Sequence, residues 1–243
     1  MGKEGVVSRT CNYMICTTQR SGKSWLCDIL RRVGGFGNPE EHVLAILRNN
    51  IPMATVDGMV RWIGDVMKSD PVAFALQWDA LVALEGLLGK GRNDIIRRLV
   101  TTNEFKVVFL ERKDRMQQAI SKYLLMQSGY GHSYQSKDLK ETRDDVEFDA
   151  ERIFKCHDAV TTDYLSWEAL FDVVGVSPVR VTYEDMCADM RSVVVRIAEA
   201  VGRRTDDLGK EIGCVSEWKK IGDGKDVEFR NKIRHLLKQG SAK

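Results

Sequence analysis

A short stretch near the start of the chain, Thr17–Trp25, combines residue types that suit the binding of phosphate or sulfate. Two cations, Arg20 and Lys23, flank Ser21 and Gly22. Backbone N–H groups at the start of a helix are unpaired and lie at the positive end of the helix dipole. A loop that turns such N–H groups inward beside two cationic side chains is suited to holding an anion.

The elements around this loop are predicted to be a strand before it and a helix after it. The apolar run Tyr13–Cys16 has the length of a strand, and apolar residues with helical spacing follow the loop. Further runs, Val72–Trp78, Phe105–Glu111 and Pro178–Tyr183, predict three more strands. Strands that alternate with helices predict an α/β, P-loop-like three-layer fold, with a central, mainly parallel sheet flanked by helices. Ligands of such sheets bind beyond the carboxyl ends of the strands.

Helical spacing of apolar residues predicts six helices beyond the first, and Asp79 is expected to cap the second of them. Their predicted ranges are 39–47, 79–88, 94–99, 114–127, 148–174 and 189–201. The stretch Ile51–Ser69 has mixed polarity and no predicted element. Gly129–Asp145 is polar and contains glycine, and it is predicted to be a mobile loop.

Length and composition favour a single domain, 1–243, with a polar N-terminal segment (1–10) and a basic C-terminal tail (203–243). The net charge of +2 does not indicate nucleic-acid binding. No apolar run approaches the roughly 20 residues of a membrane span, and the N-terminus lacks the apolar core of a signal peptide. The sequence therefore predicts a cytoplasmic protein and leaves open a peripheral contact with the inner membrane.

Cysteine and histidine usage points to neither disulfides nor a metal site. The six cysteines form no Cys-x-x-Cys pair, and several lie within apolar runs, so reduced thiols are predicted. The four histidines are scattered along the chain, and no metal site is predicted.

The segment Ser21–Ser24 is similar to the end of the motif G-x-x-x-x-G-K-[ST] of ATP-binding loops. Thr17, however, stands where the first glycine of that motif is expected. Glu111, the candidate ligand for Mg²⁺, is followed by Arg112 and Lys113, and cations beside it make a poor metal site. A P-loop small-molecule kinase that uses ATP and Mg²⁺ is kept as an alternative.

The loop more closely resembles the one with which sulfotransferases hold the 5′-phosphosulfate of PAPS (3′-phosphoadenosine 5′-phosphosulfate). Its form Gln-Arg-Ser-Gly is similar to that of the bacterial trehalose 2-sulfotransferase-like family, and four further segments agree with that family in order. They are Gly37–His42, similar to a Gly-x-Pro-x-Glu segment; Trp78-Asp79; Phe109–Ser121, with an arginine closing a strand and a serine nine residues later; and Val181–Met186, similar to Val-x-Tyr-Glu-Asp-Leu. The resemblance spans about Tyr13–Gly202.

This resemblance implies a PAPS-dependent sulfotransferase that needs no metal, and it implies which residues form the site. Arg112 and Ser121 would bind the 3′-phosphate of the donor. Arg20 would stabilise the bridging oxygen, and Lys23 would be a further catalytic cation. The donor-binding loop would consist of Thr18, Gln19, Arg20, Ser21, Gly22, Lys23, Ser24 and Trp25.

The implied reaction is an in-line displacement by a hydroxyl group of a carbohydrate, a glycolipid or a small metabolite. Glu41 would be the general base, because a carboxylate can accept the proton of that hydroxyl. His42 is its local rival, since histidine titrates near neutral pH. The side chains expected to contact the acceptor are Glu41, His42, Trp78 and Tyr130. Relatives form dimers, so a homodimer is favoured, and the tail 203–243 is expected to pack on or near the donor site.

Two positions depart from the pattern of the family. Ala75 stands where members often have a lysine, and Lys23 stands where a small residue is usual. We hypothesise that Lys23 does the electrostatic work of the missing lysine. Ala75 also keeps open a third interpretation, a catalytically silent donor-binding protein of the same fold. The segment between Glu41 and Trp78 is shorter than in trehalose-using relatives, so trehalose itself is not predicted.

Overall fold

Four parallel strands form the sheet at the centre of the protein, and they stand in the order β2-β1-β3-β4. The structure is a computed structural model that describes residues 10–66, 68–129, 143–205, 208 and 224–240. The continuous apolar character of the strands fits a sheet that is covered on both faces. The predicted α/β fold is confirmed. The strands are β1 (Tyr13–Thr17), β2 (Ala73–Gln77), β3 (Lys106–Glu111) and β4 (Val179–Thr182).

Nine α-helices lie within the described residues, and one of them continues as a π-helical turn, Arg98–Thr102. None of the described helices is both long and apolar enough to cross a bilayer. The helices are α1 (Lys23–Val33), α2 (His42–Arg48), α3 (Val56–Val66), α4 (Trp78–Leu88), α5 (Arg92–Arg97), α6 (Arg115–Ser128), α7 (Ala150–Val174), α8 (Tyr183–Val201) and α9 (Lys225–Gly240).

Alternate residues of the strands pack into two apolar layers, one on each face of the sheet. On one face Met14, Phe74 and Phe109 pack with the buried side chains of α2 to α5 and α7. On the other face Ile15 and Val108 pack with α1 and α8. The two layers make the predicted three-layer arrangement of helix, sheet and helix.

The order of the strands reverses beside β1. The chain places β2 on one side of β1, and β3 and then β4 on the other. In parallel sheets such a reversal opens a crevice beyond the carboxyl ends of the neighbouring strands, where ligands bind. The loop after Thr17 and the residues after Glu111 both lie at that edge.

The predicted strands differ from the observed ones by at most one residue at each end, and three predictions that concern helices need correction. The stretch Ile51–Ser69 contains α3, whose buried residues have the helical spacing of Val56, Met59, Val60 and Ile63. The prediction that Asp79 caps a helix is wrong, because α4 already begins at Trp78 and has Gln77 as its N-cap residue.

The helix predicted from Asp189 begins six residues earlier, at Tyr183. A capping box starts it there, in which the Thr182 hydroxyl accepts from the Asp185 N–H and the Asp185 carboxylate accepts from the Thr182 N–H. Non-helical dihedral angles at Asp189 mark a kink. The kink explains why the sequence indicated a helix start at that residue.

Some predictions fall wholly or partly outside the described residues. These are the N-terminal segment 1–10, most of the loop Gly129–Asp145 and part of the tail 203–243. The five cysteines of the described part are free thiols, and three of them, Cys16, Cys27 and Cys156, are buried.

The side chain of Trp167 on α7 joins the sheet to the loop that follows β1. It is fully buried, and its indole N–H donates to the Thr17 carbonyl over 2.8 Å. Its ring stacks on Phe171 and meets the Trp78 ring edge-on, with centroids 5.5 and 5.1 Å apart. One side chain thus positions the end of β1 and the start of α4.

We expect Trp167→Phe to lower the free energy of unfolding by about 2–4 kcal/mol, because it leaves a buried carbonyl unpaired and opens a cavity. Urea denaturation with the two-state analysis measures the change. Trp62→Phe on α3 is the matched control, since Trp62 is only partly buried at the margin of the same apolar layer. Equal losses for the two variants would contradict the role assigned to the Trp167 hydrogen bond.

Candidate active site

The loop between β1 and α1 has an anion-binding backbone. Arg20 and Gly22 both have positive φ, 63° and 93°. Gly22 is the N-cap residue of α1 and has no side chain to cap the helix. The Trp25 N–H already donates to the Gly22 carbonyl over 3.1 Å, so the N–H groups before it are those available to a ligand. Backbone N–H groups turned inward in this way form a concave site for a phosphate or sulfate oxygen.

Hydrogen bonds from neighbouring elements hold the loop in this shape. The Thr17 hydroxyl donates to the Leu110 carbonyl over 2.7 Å and shares a 2.8 Å hydrogen bond with the Ser21 hydroxyl. On α6, the Gln118 amide donates to the Gln19 carbonyl over 2.6 Å. The loop is therefore fixed by β3 and α6 as well as by its own two flanking elements.

Two carboxylates contact the side chains of the loop. The Thr18 hydroxyl donates to Asp163 over 2.9 Å, and the Gln19 amide donates to Asp79 over 2.7 Å. Burial raises the pKa of Asp163. These contacts orient the side chains of Thr18 and Gln19 away from the backbone N–H groups that would face an anion.

Arg20 extends from the loop toward the end of β3 and meets both residues predicted to bind a 3′-phosphate. Its Nε donates to the Ser121 hydroxyl over 3.0 Å, and Arg112 Nη1 donates to the Arg20 carbonyl over 3.3 Å. The Arg112 guanidinium lies over the Tyr183 ring, 4.5 Å from its centroid. Burial, together with the charge of Arg112, lowers the pKa of Arg20 to about 10, which leaves it charged at neutral pH.

Arg112 offers an unused donor at this point. Its Nε is buried and makes no hydrogen bond within the described residues. A buried donor without a partner costs about 1–3 kcal/mol, and a phosphate oxygen beside Arg20, Arg112 and Ser121 would satisfy it. The residues present therefore fit an anionic ligand.

The side chain of Lys23 contacts different residues from those that Arg20 contacts. Its ammonium forms an ion pair with Glu41, and the Gln77 amide donates to the same carboxylate oxygen, Oε1. Lys23 is buried, whereas about a third of the Glu41 side chain is exposed. The carboxylate is thus positioned at the edge of the loop and remains accessible from outside.

The backbone around Glu41 is tied to the sheet. The Ala75 N–H donates to the Glu40 carbonyl over 2.9 Å, and Glu40 forms a parallel bridge with Phe74. Gln77 lies on the same face of β2 as Ala75, one step nearer to the carboxyl end. That register brings the Gln77 amide to Glu41.

The other predicted acceptor residues have different surroundings. His42 is 1% exposed and donates from Nε2 to the Asn38 carbonyl over 2.6 Å, and burial lowers its pKa. The half-buried Trp78 ring lies against Trp167 and beneath the Arg92 guanidinium, 5.3 Å from its centroid. Tyr130 lies outside the described residues.

The structure brings together the loop, Lys23 and Glu41 on one side, and Arg20, Arg112 and Ser121 on the other. It also adds residues that the sequence reasoning did not assign to the site. Gln77 is the polar residue of the otherwise apolar predicted strand Val72–Trp78, which is a usable signal. Gln118 and Tyr183 lie inside the matching segments, but their spacing did not reveal that they support the loop.

Comparisons with known proteins show what the chain as a whole is similar to. The model of the family described as Stf0 sulphotransferase matches residues 12–96 and 74–234. Among solved structures, the chain is similar to the sulfotransferase domain from the Synechococcus PCC 7002 olefin synthase. The identity is 14%, the TM-score is 0.38, and the match covers 95% of this chain and 91% of that one. No curated protein sequence gives a significant match.

Gly22 provides a test of how tightly the loop is packed. A Cβ atom at this position would lie 2.5 Å from Tyr183 Cδ2, so Gly22→Ala adds a clash to the strain of positive φ. We expect the free energy of unfolding to fall by about 2–4 kcal/mol, measured by urea denaturation.

Gly175→Ala is the matched control, because Gly175 is also left-handed at a helix end but a Cβ atom there would meet nothing within 4 Å. It should cost about 1–2 kcal/mol, the strain alone. In a Tyr183→Ala background the cost of Gly22→Ala should approach that of the control. Strictly additive effects of the changes at Gly22 and Tyr183 would contradict the proposed clash.

Proposed function

The chain belongs to the Stf0 sulphotransferase family, and from that premise we propose that it transfers a sulfuryl group from PAPS to a hydroxyl group. The acceptor class is a carbohydrate, a glycolipid or a small metabolite. The observation that carries the donor assignment is the meeting of Arg20, Arg112 and Ser121 around a buried, unpartnered guanidinium N–H beside the anion-binding loop. A donor with a second phosphate, at its 3′ position, suits this pair of neighbouring anion sites.

When bound, the donor would supply a sulfuryl group whose bond to the 5′-phosphate breaks as the bond to the acceptor oxygen forms. The N–H groups at the start of α1 bind and orient the anionic end of the donor. Lys23 lies between these N–H groups and Glu41, so its ammonium is well placed to stabilise negative charge that develops on the bridging oxygen. Arg20 would also stabilise this developing charge. Its side chain extends toward Ser121, beside which the 3′-phosphate would bind.

Glu41 receives the proton of the acceptor hydroxyl. Its partly exposed carboxylate pairs with Lys23, the first residue of α1, and Lys23 and Gln77 fix its orientation. The His42 ring is buried and already donates to the Asn38 carbonyl. Glu41 is therefore the better candidate for the general base.

The kinase alternative needs a carboxylate for Mg²⁺ after β3, and Glu111 is engaged otherwise. Its two carboxylate oxygens pair with Arg115 over 3.0 Å and with Arg180 over 3.2 Å. The silent-protein alternative rests on Ala75, which packs into the apolar layer beneath α1. Lys23 and Gln77 supply polar groups just beyond it, which favours an active enzyme.

A thermal-shift experiment separates the donor classes. We expect adenosine 3′,5′-bisphosphate, the spent donor, to stabilise the protein without Mg²⁺. A ligand at 100 times its Kd adds about 2.7 kcal/mol to the free energy of unfolding. ATP with Mg²⁺ is the comparison ligand. Stabilisation by ATP and Mg²⁺ but not by the bisphosphate would overturn the proposal in favour of a kinase.

Glu41→Gln tests the general base. Loss of a positioned base lowers kcat about 100-fold or more, while the Kd of adenosine 3′,5′-bisphosphate should change less than about threefold. Radiolabelled transfer from PAPS to an acceptor panel gives kcat, and calorimetry gives Kd.

The matched control is Glu40→Gln, which changes a neighbouring carboxylate that faces Arg31 at 3.8 Å and should leave kcat nearly unchanged. His42→Gln completes the set. If His42→Gln abolished turnover while Glu41→Gln kept it, the base assignment would move to His42. No transfer by the unaltered protein to any acceptor, despite binding of the bisphosphate, would favour the silent protein.

A further inference from the structure

The turn that follows β3 and presents Arg112 is fixed by side chains of two other helices. The Arg112 N–H donates to the Tyr164 hydroxyl of α7 over 3.1 Å. The next two N–H groups, those of Lys113 and Asp114, donate to the two carboxylate oxygens of Glu184 on α8 over 3.0 and 3.2 Å. Three consecutive backbone N–H groups are therefore bound by side chains at least 52 positions away in the chain. Glu184 was not among the residues predicted for the site.

The register of the sheet explains how Glu184 reaches this turn. Strands β3 and β4 end side by side, with Glu111 opposite Thr182, so the residues that follow them are neighbours at the carboxyl end of the sheet. The Arg112 guanidinium accordingly lies over the Tyr183 ring, 4.5 Å from its centroid. Tyr183 and Glu184 are the first two residues of α8. The first turn of α8 thus contacts both the side chain of Arg112 and the backbone that follows it.

Glu184 also fills a position that an anion could occupy. Backbone N–H groups at the start of a helix attract anions, and those of Lys113 and Asp114 lie at the start of α6. The Glu184 carboxylate uses one oxygen for each of them. A phosphate at this end of the sheet therefore depends on the side chains of Arg112 and Ser121 and not on these N–H groups.

We propose that Glu184 is a positioning residue for the 3′-phosphate of the donor, because it holds the turn from which Arg112 reaches that phosphate. This inference rests on the proposed function. Affinity rises when the groups of a site are held in their bound geometry before the ligand arrives. Glu184 acts through Arg112, whose buried Nε has no hydrogen-bond partner within the described residues, and it makes no contact with the ligand itself.

The charge of Glu184 and its hydrogen bonds have opposite effects on a phosphate beside Arg112. A carboxylate repels a nearby phosphate, so removing Glu184 would strengthen phosphate binding if charge alone mattered. Removing it also releases two N–H groups and loosens the turn, which weakens binding if the turn positions Arg112. The direction of the change in affinity therefore distinguishes the two effects.

The test compares two nucleotides that differ only in the 3′-phosphate, adenosine 3′,5′-bisphosphate and 5′-AMP. For Glu184→Ala, calorimetry should show about 5- to 20-fold weaker binding of the bisphosphate, which is part of the roughly 10- to 100-fold cost of losing a charged hydrogen bond. Binding of 5′-AMP should change less than about threefold, because the loop that holds the 5′-phosphate keeps its own contacts.

If Glu184→Ala is poorly folded, Glu184→Gln serves in its place. The glutamine keeps the size of the side chain and one oxygen that can accept from an N–H group. Its preference for the bisphosphate over 5′-AMP should fall about two- to fivefold relative to the wild-type protein, for the same reason.

Two further variants serve as controls. Glu168→Ala is the matched control, since it also removes a carboxylate but one that pairs with Arg180 of β4 over 2.5 Å, and it should leave the ratio of the two affinities unchanged. In an Arg112→Gln background, Glu184→Ala should change bisphosphate binding less than about twofold, because residues that act through one contact are not additive.

The outcomes separate this inference from the proposed function. Wild-type protein that binds the bisphosphate no better than 5′-AMP would contradict the PAPS assignment itself. A preference for the bisphosphate that Glu184→Ala retains or increases would overturn only the role of Glu184. Equal weakening of both nucleotides would also overturn that role, because it would show a purely structural effect. The same conclusion would follow if Glu184→Ala had its full effect in the Arg112→Gln background.

Discussion

Like charges gathered in a partly buried space are the constraint on which this structure depends. Arg20 and Arg112 meet at one side of the loop, and Lys23 pairs with Glu41 at the other. Each cation needs a partner, since the protein interior screens charge poorly. The buried Nε of Arg112 has no hydrogen-bond partner within the described residues, and no side chain caps the start of α1. These donors are the physical basis on which an anion site is proposed.

The fold keeps the cations apart by using the geometry of a parallel sheet. Arg20 and Lys23 are three residues apart, yet the left-handed turn at Arg20 and Gly22 sends their side chains to different partners. Because β1 lies between β2 and β3, each of these neighbouring strands brings charged or polar side chains to one side of the loop. On the side of β2, Gln77 orients the Glu41 carboxylate. On the side of β3, the Arg112 guanidinium contacts Arg20.

Local features of the fold and site could be predicted from the sequence, and long-range pairings could not. The strand–loop–helix unit around Arg20 and the strand that ends before Arg112 each consist of contiguous residues, so their patterns can be read from the sequence. The family resemblance also placed Arg112 and Ser121 together, and the structure brings Arg20 to both. The Thr17 hydroxyl and the Leu110 carbonyl to which it donates belong to residues 93 positions apart, and no periodicity reveals such a pair. Asp79 resembled a helix cap because only tertiary packing shows that α4 begins one residue earlier.

The ion pair between Lys23 and Glu41 favours an order of substrate addition. The ammonium of Lys23 has this carboxylate as its partner, and the Gln77 amide donates to the same oxygen. An anion in the loop gives Lys23 a second partner and leaves more of the Glu41 charge for an incoming hydroxyl. Under the proposed function, this pair favours binding of the donor before the acceptor, and it limits proton abstraction when no sulfuryl group is present.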